Sequence, residues 1–211
     1  MLQILQYLKQ SFPKLSRVSV YATAQNLLEK SDDELQLLYE NHLNLIYFGI
    51  ETGNDPLLNK INKGVSSVQM IEALNKASTA QIKISATVIL GLGGGEFTHE
   101  HIEDTAILIN STRLNYLSTL QLGLEEGIKK HFFKYFDHFT MLDDWQILDE
   151  QKRLLERLNP SNRIIFRSNH ASNALPLAGT LPKDTARLLE EINRALSIGE
   201  RALIPKCFRN F

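Results

Sequence analysis

Over its first 125 residues the chain alternates between apolar, β-branched runs and stretches with helical periodicity. Arg17-Val-Ser-Val-Tyr-Ala22, Leu45-Ile-Tyr-Phe-Gly-Ile50, Ile82 to Gly91 and Tyr116 to Leu122 read as four strands. The second is a continuous apolar run and the third is mostly apolar, as expected of strands buried on both faces of a parallel sheet. Between them run helical patterns: residues 1–12, a helix opened by the capping-box sequence Ser31-Asp-Asp-Glu34, a short one through Leu57 and Ile61 to Lys63-Gly64, one opened by Ser66-Ser67, and one from Thr98 to about Ser111. Strand–helix alternation with right-handed crossovers leaves two shapes, an open doubly wound sheet or all or part of a βα barrel.

After residue 125 the rhythm stops. Lys129 to His138 is basic and aromatic. Residues 143–158 and 183–200 read as helices, Asn162 to Arg167 as a short strand, and Ser168 to Pro182 as a polar loop. The fold class expected is therefore α/β, a partial TIM-like (βα) barrel of about four parallel strands over residues 1–125, followed by a mostly helical extension over residues 126–211.

Composition narrows the chemistry. Lys plus Arg number 23 against 24 Asp plus Glu, a formal net charge of −1, so nucleic-acid binding is not indicated by overall charge. The chain has one cysteine, Cys207, which excludes an internal disulfide and any site built from two or more of its own thiolates. No apolar run is long enough for a membrane span, and the N-terminus reads as an amphipathic helix, so a cytoplasmic location is the expectation.

In parallel βα architectures the chemistry gathers at the C-terminal ends of the strands. Those ends here read Thr23-Ala-Gln-Asn26, Gly49-Ile-Glu-Thr-Gly53, Gly91 to Glu96 and Gln121 to Glu125. Glu51 stands out, since a carboxylate directly after a buried apolar strand is costly unless hydrogen-bonded. It either accepts two hydroxyls of a ribose or caps the next helix near Asn54 and Asp55. Lys63 sits at a helix C-terminus, where a cation suits the dipole. His99 and His101 read as exposed helix-start residues. The Lys129–His138 segment reads as an amphipathic helix packing Phe132, Phe133 and Phe136 inward, with nucleic-acid binding the alternative. Arg167, Asn169, His170 and Asn173 are either substrate-contacting or hydrogen-bonding turn residues.

The order of Arg17 to Ala22, Ile46-Tyr-Phe-Gly-Ile-Glu-Thr-Gly53, Leu58-Asn-Lys-Ile-Asn-Lys-Gly64 and Val88-Ile-Leu-Gly-Leu-Gly-Gly94 resembles radical S-adenosylmethionine (radical SAM) proteins of the branch with oxygen-independent coproporphyrinogen oxidase-like and tRNA-modifying enzymes. Phe166 to Asn173 and Gly179 to Pro182 are similar to the end of an uncharacterised subgroup of that family. The resemblance implies a partial barrel of six parallel strands, with S-adenosylmethionine and a [4Fe-4S] cluster as cofactors. It places Glu51 near the ribose, and Thr87, Ile89 and Gly91 near the adenine. The sequence resembles the family from the helix before the third strand onward, so the family's CxxxCxxC loop and the Gly-Gly-Glu that ends its second strand have no counterparts here, the tripeptide Gly94-Gly95-Glu96 following a later strand. A site-differentiated cluster needs three protein thiolates. The chain alone is therefore expected to hold no cluster and to be inactive, as a shortened product, a fragment or half of a split enzyme. The strand at residues 17–22 is then a sheet edge, to be covered by the N-terminal helix, a homodimer contact or an N-terminal half. Two other functions fit the residues. One is a small βα-barrel lyase or isomerase using Glu51 as acid/base, with Glu96 or Glu125 as second group. The other is a non-catalytic interaction module.

Overall fold

A computed structural model describes residues 1–209. Six strands form one sheet in sequence order: β1 (Val18–Tyr21), β2 (Leu43–Glu51), β3 (Lys83–Leu90), β4 (Tyr116–Gln121), β5 (Ile164–Ser168) and β6 (Leu177–Leu181). The first five are parallel, and β6 returns antiparallel to β5. Nine helices accompany them among the described residues: α1 (Leu2–Ser11), α2 (Ala24–Leu28), α3 (Asp32–Glu40), α4 (Asp55–Lys60), α5 (Ser67–Thr79), α6 (Gly94–Asn110), α7 (Glu126–Phe133), α8 (Asp144–Arg157) and α9 (Thr185–Ile198). This is the expected α/β architecture, an open part of a βα barrel.

The sheet has two unlike faces. On β2 and β3 the side chains of Ile46, Phe48, Ile50, Ile84, Ala86, Val88 and Leu90 are buried in the main core. There they meet Leu5, Leu35, Leu74, Ile102 and Ile109 from the helices. The alternate residues, Tyr47, Gly49, Ser85, Thr87 and Ile89, are exposed or half-buried. All crossover helices thus lie on one side, and the inner face stays open. This corrects the expectation of burial on both faces: β2 reads as a continuous apolar run because Tyr47 and Gly49 leave little polarity on its open side, whereas on β3 Lys83, Ser85 and Thr87 alternate with buried residues and mark that side.

The extension carries two strands, the short one expected at Asn162–Arg167 and a second one in the segment expected to be a loop. Ile164–Ser168 is β5, in register with β4 through Leu117 and Phe166. The segment read as a polar loop contains β6. Its strand sequence, Leu-Ala-Gly-Thr-Leu, lies between Pro176 and Pro182 and lacks β-branched alternation. It is held by burial of its two end leucines and by pairing with β5 on one side only, as an edge strand permits.

Two helix starts also move. α2 exists because Thr23 and Asn26 form a reciprocal capping box. α6 begins at Gly94, inside the glycine run, four residues before the expected Thr98. The Ser31 box forms as expected, with the Ser31 amide donating to Glu34 (2.7 Å) and the Glu34 amide donating to Ser31 Oγ (3.1 Å). Ser31→Ala is expected to cost about 1 kcal/mol, read as a shift in urea midpoint.

β1 forms one edge of the sheet. The Val18 and Ala22 amides donate to His42 and Tyr47 carbonyls on the β2 side, so by strand alternation the Ser19 and Tyr21 backbone groups point away. Among the described residues, helix α1 makes no backbone hydrogen bond to them. It buries Leu5 in the helical layer and contacts α3, with Lys9 Nζ near the Glu40 carbonyl.

Candidate functional site

Glu51 ends β2 in an unusual backbone state. Its φ is +61°, and the register with β3 shifts between Gly49 and Glu51. This turns the side chain back over Gly49, where an added Cβ would stand 2.0 Å from Glu51 Oε1. A side chain at Gly49 would push the flexible Glu51 carboxylate and its Lys63 partner out of this position. Lys63 Nζ donates to the same oxygen at 3.1 Å, and both side chains are half-buried. The capping alternative for Glu51 is not realised. Asn54 caps α4, its Oδ1 accepting from the Leu57 amide. Lys63 likewise serves as the partner of Glu51, beyond its place after a helix.

Glu51 stands between two cavities. One, of about 440 Å³, is lined by Tyr21, Tyr47, Gln25, Asn26 and Lys63 as well as Glu51. The other, of about 330 Å³, is walled by Ile89, Leu92, Leu120, Leu122 and Phe132, with His170 and Ser172 at its side. The first carries both signs of charge, on Glu51 and Lys63, and the second is largely apolar. A carboxylate between an apolar slot and a zwitterionic pocket suits a ligand with an aromatic end, a diol in the middle and a charged tail.

Of the residues singled out from sequence, the structure brings Glu51, Ile89 and His170 to this cleft. Thr87 lies one step down the inner face from Ile89. Gly91 (φ +79°) packs its α-carbon toward α8, where a Cβ would meet Ile147 Cδ1 at 2.7 Å. Arg167 is exposed on the inner face and Asn169 is exposed. Asn173 is buried as a strut: Nδ2 donates to the Thr119 carbonyl and Ser168 Oγ, and Oδ1 accepts from the Gln121 amide. His170 Nδ1 accepts from the Ser172 amide. So Asn173 follows the turn reading, while His170 makes a turn hydrogen bond and also lines the cavity.

The basic aromatic segment behaves as an amphipathic element. Phe132, Phe133, Phe136 and Phe139 pack ring against ring at 4.7 to 6.1 Å. Lys60 lies over Phe97 and Phe136 and donates to the Tyr135 carbonyl, which ties this cap to α4.

His101 corrects the sequence reading. It is fully buried, not an exposed helix-start residue. Nε2 faces the Ile89 carbonyl at 3.1 Å and Nδ1 faces Thr52 Oγ1 at 2.8 Å. A carbonyl only accepts, so Nε2 carries the hydrogen and Nδ1 accepts from the Thr52 hydroxyl. Thr52 Oγ1 in turn accepts from the Asn54 amide. The ring therefore clamps the ends of β2 and β3, beside Glu51 and at Ile89. Burial lowers its pKa to about 4, against the opposing hydrogen bond to Ile89. A second buried group was also missed. Glu150 of α8 accepts from the Gly91 amide (2.6 Å) and Thr98 Oγ1 (2.7 Å), and burial raises its pKa to about 7. Helical periodicity carries a signal for His101, since it extends the buried stripe through Thr105 and Leu108.

A family model described as the Radical SAM superfamily matches residues 3–109, half of the chain. The chain belongs to the radical SAM superfamily. Among solved structures, coproporphyrinogen III oxidase HemN from Escherichia coli superposes with a TM-score of 0.58 at 16% identity, covering 73% of this chain and 35% of its own. Methylornithine synthase PylB gives 0.51 at 13% identity, covering 74% of this chain and 43% of its own. At these identities the likeness shows the fold alone, and the chain spans less than half the length of either structure. No curated protein sequence matches the chain. Among the described residues no helix is long and apolar enough to cross a membrane.

The superfamily uses S-adenosylmethionine and a [4Fe-4S] cluster. The donor set of this chain does not fit the cluster. Cys207 is its single thiol and is exposed, and among the described residues no three His, Cys, Asp or Glu side chains gather to hold a metal.

Proposed function

We propose that the cleft around Glu51 is the nucleoside-binding part of a radical SAM site. The observation that carries this reading is the position of Glu51 between the two cavities. The apolar slot bounded by Ile89, Leu120 and Leu122 suits an adenine ring. The Glu51 carboxylate, freed on one oxygen, accepts ribose hydroxyls. The Glu51–Lys63 pair gives the larger cavity both charges, matching the ammonium and carboxylate of an aminoacyl tail. Thr87 and Gly91 belong to the strand that frames the adenine side, Thr87 below it and Gly91 through the backbone turn above it.

The residues of this chain bind and orient. The bound cofactor supplies, in the superfamily, radical chemistry begun by reductive cleavage of its sulfonium. With one thiol the chain does not assemble the three-thiolate cluster from its own residues, so the isolated polypeptide is inactive in that cleavage. The lyase or isomerase alternative pairs Glu51 with Glu96 or Glu125 as its second acid/base group, whereas the titratable groups that stand at Glu51 are Lys63 and, across the cleft, His170. Glu96 and Glu125 are both exposed, and neither lines either cavity.

Calorimetric titration with S-adenosylmethionine tests the reading. Saturable binding is expected, and Glu51→Ala is expected to weaken it at least about tenfold, the scale for losing hydrogen bonds to a charged acceptor. Undetectable binding by the unaltered chain, or equal binding by the variant, would sink it.

A further inference from the structure

Beyond α9 the chain forms a strap that ends against one wall of the cleft. It makes two single 3₁₀ turns, Glu200–Ala202 and Lys206–Phe208. Ala202 and Leu203 pack against the core, and the Ile204 amide donates to the Ala174 carbonyl at 2.8 Å. Residues 205–208 are exposed, Phe208 to 75%, whereas the side chain of Arg209 is 2% exposed. The strap thus buries its cation and leaves its aromatic ring in water, the reverse of what apolar packing alone produces.

Arg209 is held by Asp144, the first residue of α8. Nη1 donates to Oδ1 at 2.8 Å and Nη2 to Oδ2 at 2.7 Å, the two-pronged geometry that suits a guanidinium. These hydrogen bonds hold the Asp144 carboxyl below its usual range, so the pair is ionised at neutral pH. Between the strap and the start of α8 lies a cavity of about 430 Å³, lined by Leu203, Pro205, Asp144 and Arg209 among others. Past Leu203 the strap therefore bridges a gap, and the buried ion pair fastens its far end.

The pair also reaches Gln121. Arg209 Nη1 donates to Gln121 Oε1, and Gln121 Nε2 donates to Asp144 Oδ1, both at 3.4 Å. Gln121 ends β4 and lines the apolar cavity beside Glu51. The strap's other attachment, Ala174, directly follows Asn173, whose side chain accepts from the Gln121 amide. His170 and Ser172 of the same turn line that cavity as well. Both attachments of the strap bear on this one wall.

We propose that Arg209 is a positioning residue for the apolar cavity: docked on Asp144, it sets the Gln121 side chain and, through the strap, the turn at 170–174. Removing its guanidinium leaves the Asp144 carboxylate, 15% exposed, without its partner and leaves Gln121 free to turn away from the wall. A ligand that contacts the set wall then favours the docked strap, and the docked strap favours the ligand. That coupling rests on the nucleoside reading above, whereas the bracing of Gln121 does not.

Cys207 is the single thiol of the chain, exposed on the strap close to Arg209, so a nitroxide attached there reports docking through its EPR line shape. In the unaltered chain a slow component is expected to dominate. Arg209→Gln is expected to narrow the lines and to shift the Gln121 side-chain amide signal in ligand-free proton–nitrogen NMR spectra. It is also expected to weaken S-adenosylmethionine about tenfold, the scale of one charge-assisted contact. Arg209→Lys keeps the charge without the paired donors and is expected to fall between, with S-adenosylmethionine raising its slow fraction. A merely structural role does not produce that rise. Phe208→Ala, at the exposed neighbour, is expected to change neither the Gln121 signal nor the affinity. An unmoved Gln121 signal or an unchanged line shape in Arg209→Gln overturns the proposal. So does an affinity for S-adenosylmethionine within about twofold of the unaltered chain. If the unaltered chain binds no S-adenosylmethionine while the label and the Gln121 signal respond to Arg209→Gln, the nucleoside reading falls and the bracing of the wall stands.

Discussion

Gly53→Ala is expected to destabilise the protein by about 3–5 kcal/mol, the combined scale of several broken buried hydrogen bonds. A Cβ at Gly53 would stand 2.3 Å from the Asp104 carbonyl oxygen, 2.5 Å from its carbon and 2.7 Å from Thr105 Cα. All three are backbone atoms of α6, so no flexible side chain can yield. The segment 52–54 must lift off the helix. Lifting breaks the Gly53 amide bond to Thr105 Oγ1 (2.8 Å), the Asn54–Asp104 bond (2.7 Å) and the Thr52–His101 bond (2.8 Å). Thr52, Thr105 and His101 are all fully buried, so their polar atoms would be left without water or partners. Gly127→Ala is the matched control. Nothing lies within 4 Å of a Cβ there, and the residue is inside α7, where alanine favours the helix by about 0.5–1 kcal/mol. Urea denaturation of both variants measures the contrast. A Gly53→Ala loss below about 1 kcal/mol would mean that the 52–54 segment is not seated on α6 as described.

How far such features could be read in advance depended on whether their causes were local. The strands β2 and β3 were legible because Leu45–Ile50 is a continuous apolar run and Ile82–Leu90 is mostly apolar and rich in β-branched residues. The Ser31 and Ser66 helix starts were legible because a capping box is complete within four residues. β6 was not, because what makes Leu-Ala-Gly-Thr-Leu a strand is β5 beside it. The Glu51–Lys63 pair escaped notice for the same reason. The two residues are twelve apart, and only the turn of α4 and the positive φ of Glu51 bring them together. Glu51 itself was legible, as a charge where apolar residues were expected. His101 was misread because its neighbours His99 and Glu100 are exposed and polar, while its partners lie on β2 and β3. The residues that hold the cleft in shape are therefore less visible in sequence than the residues that face it.

Those holding residues give the cleft a testable pH signature. His101 titrates at about 4 in the folded chain against an ordinary 6.5, because burial disfavours its cation and the Arg153 charge adds to that, outweighing the Ile89 hydrogen bond. Between those values the unfolded chain binds the proton that the folded chain refuses. Stability from this group is present above pH 6.5 and is lost as pH falls toward 4, by about 3 kcal/mol in full. Glu150 has the opposite sign. Its carboxyl titrates at about 7 against 4.5, because burial outweighs the Thr98 and Gly91 hydrogen bonds and the Arg153 charge. The folded chain binds the proton the unfolded chain releases, so its contribution is present below pH 4.5 and is lost as pH rises to 7, again by about 3 kcal/mol. Across pH 4.5 to 6.5 the two slopes, each near 1.4 kcal/mol per pH unit, cancel. Each single variant should unmask the other group. Relative to the unaltered chain, His101→Asn, which keeps an acceptor for Thr52, should become progressively less stable as pH rises from 4.5 to 6.5. Glu150→Gln should become progressively more stable over the same range. Urea midpoints at half-unit pH steps read both difference profiles, and taking differences removes the contributions of Asp144 and Asp184, whose carboxyls are held low by Arg209 and by the Thr180 amide. Flat difference profiles in both variants would show that the clamp at Ile89 and the strut at Gly91 do not hold their protons as the buried geometry requires.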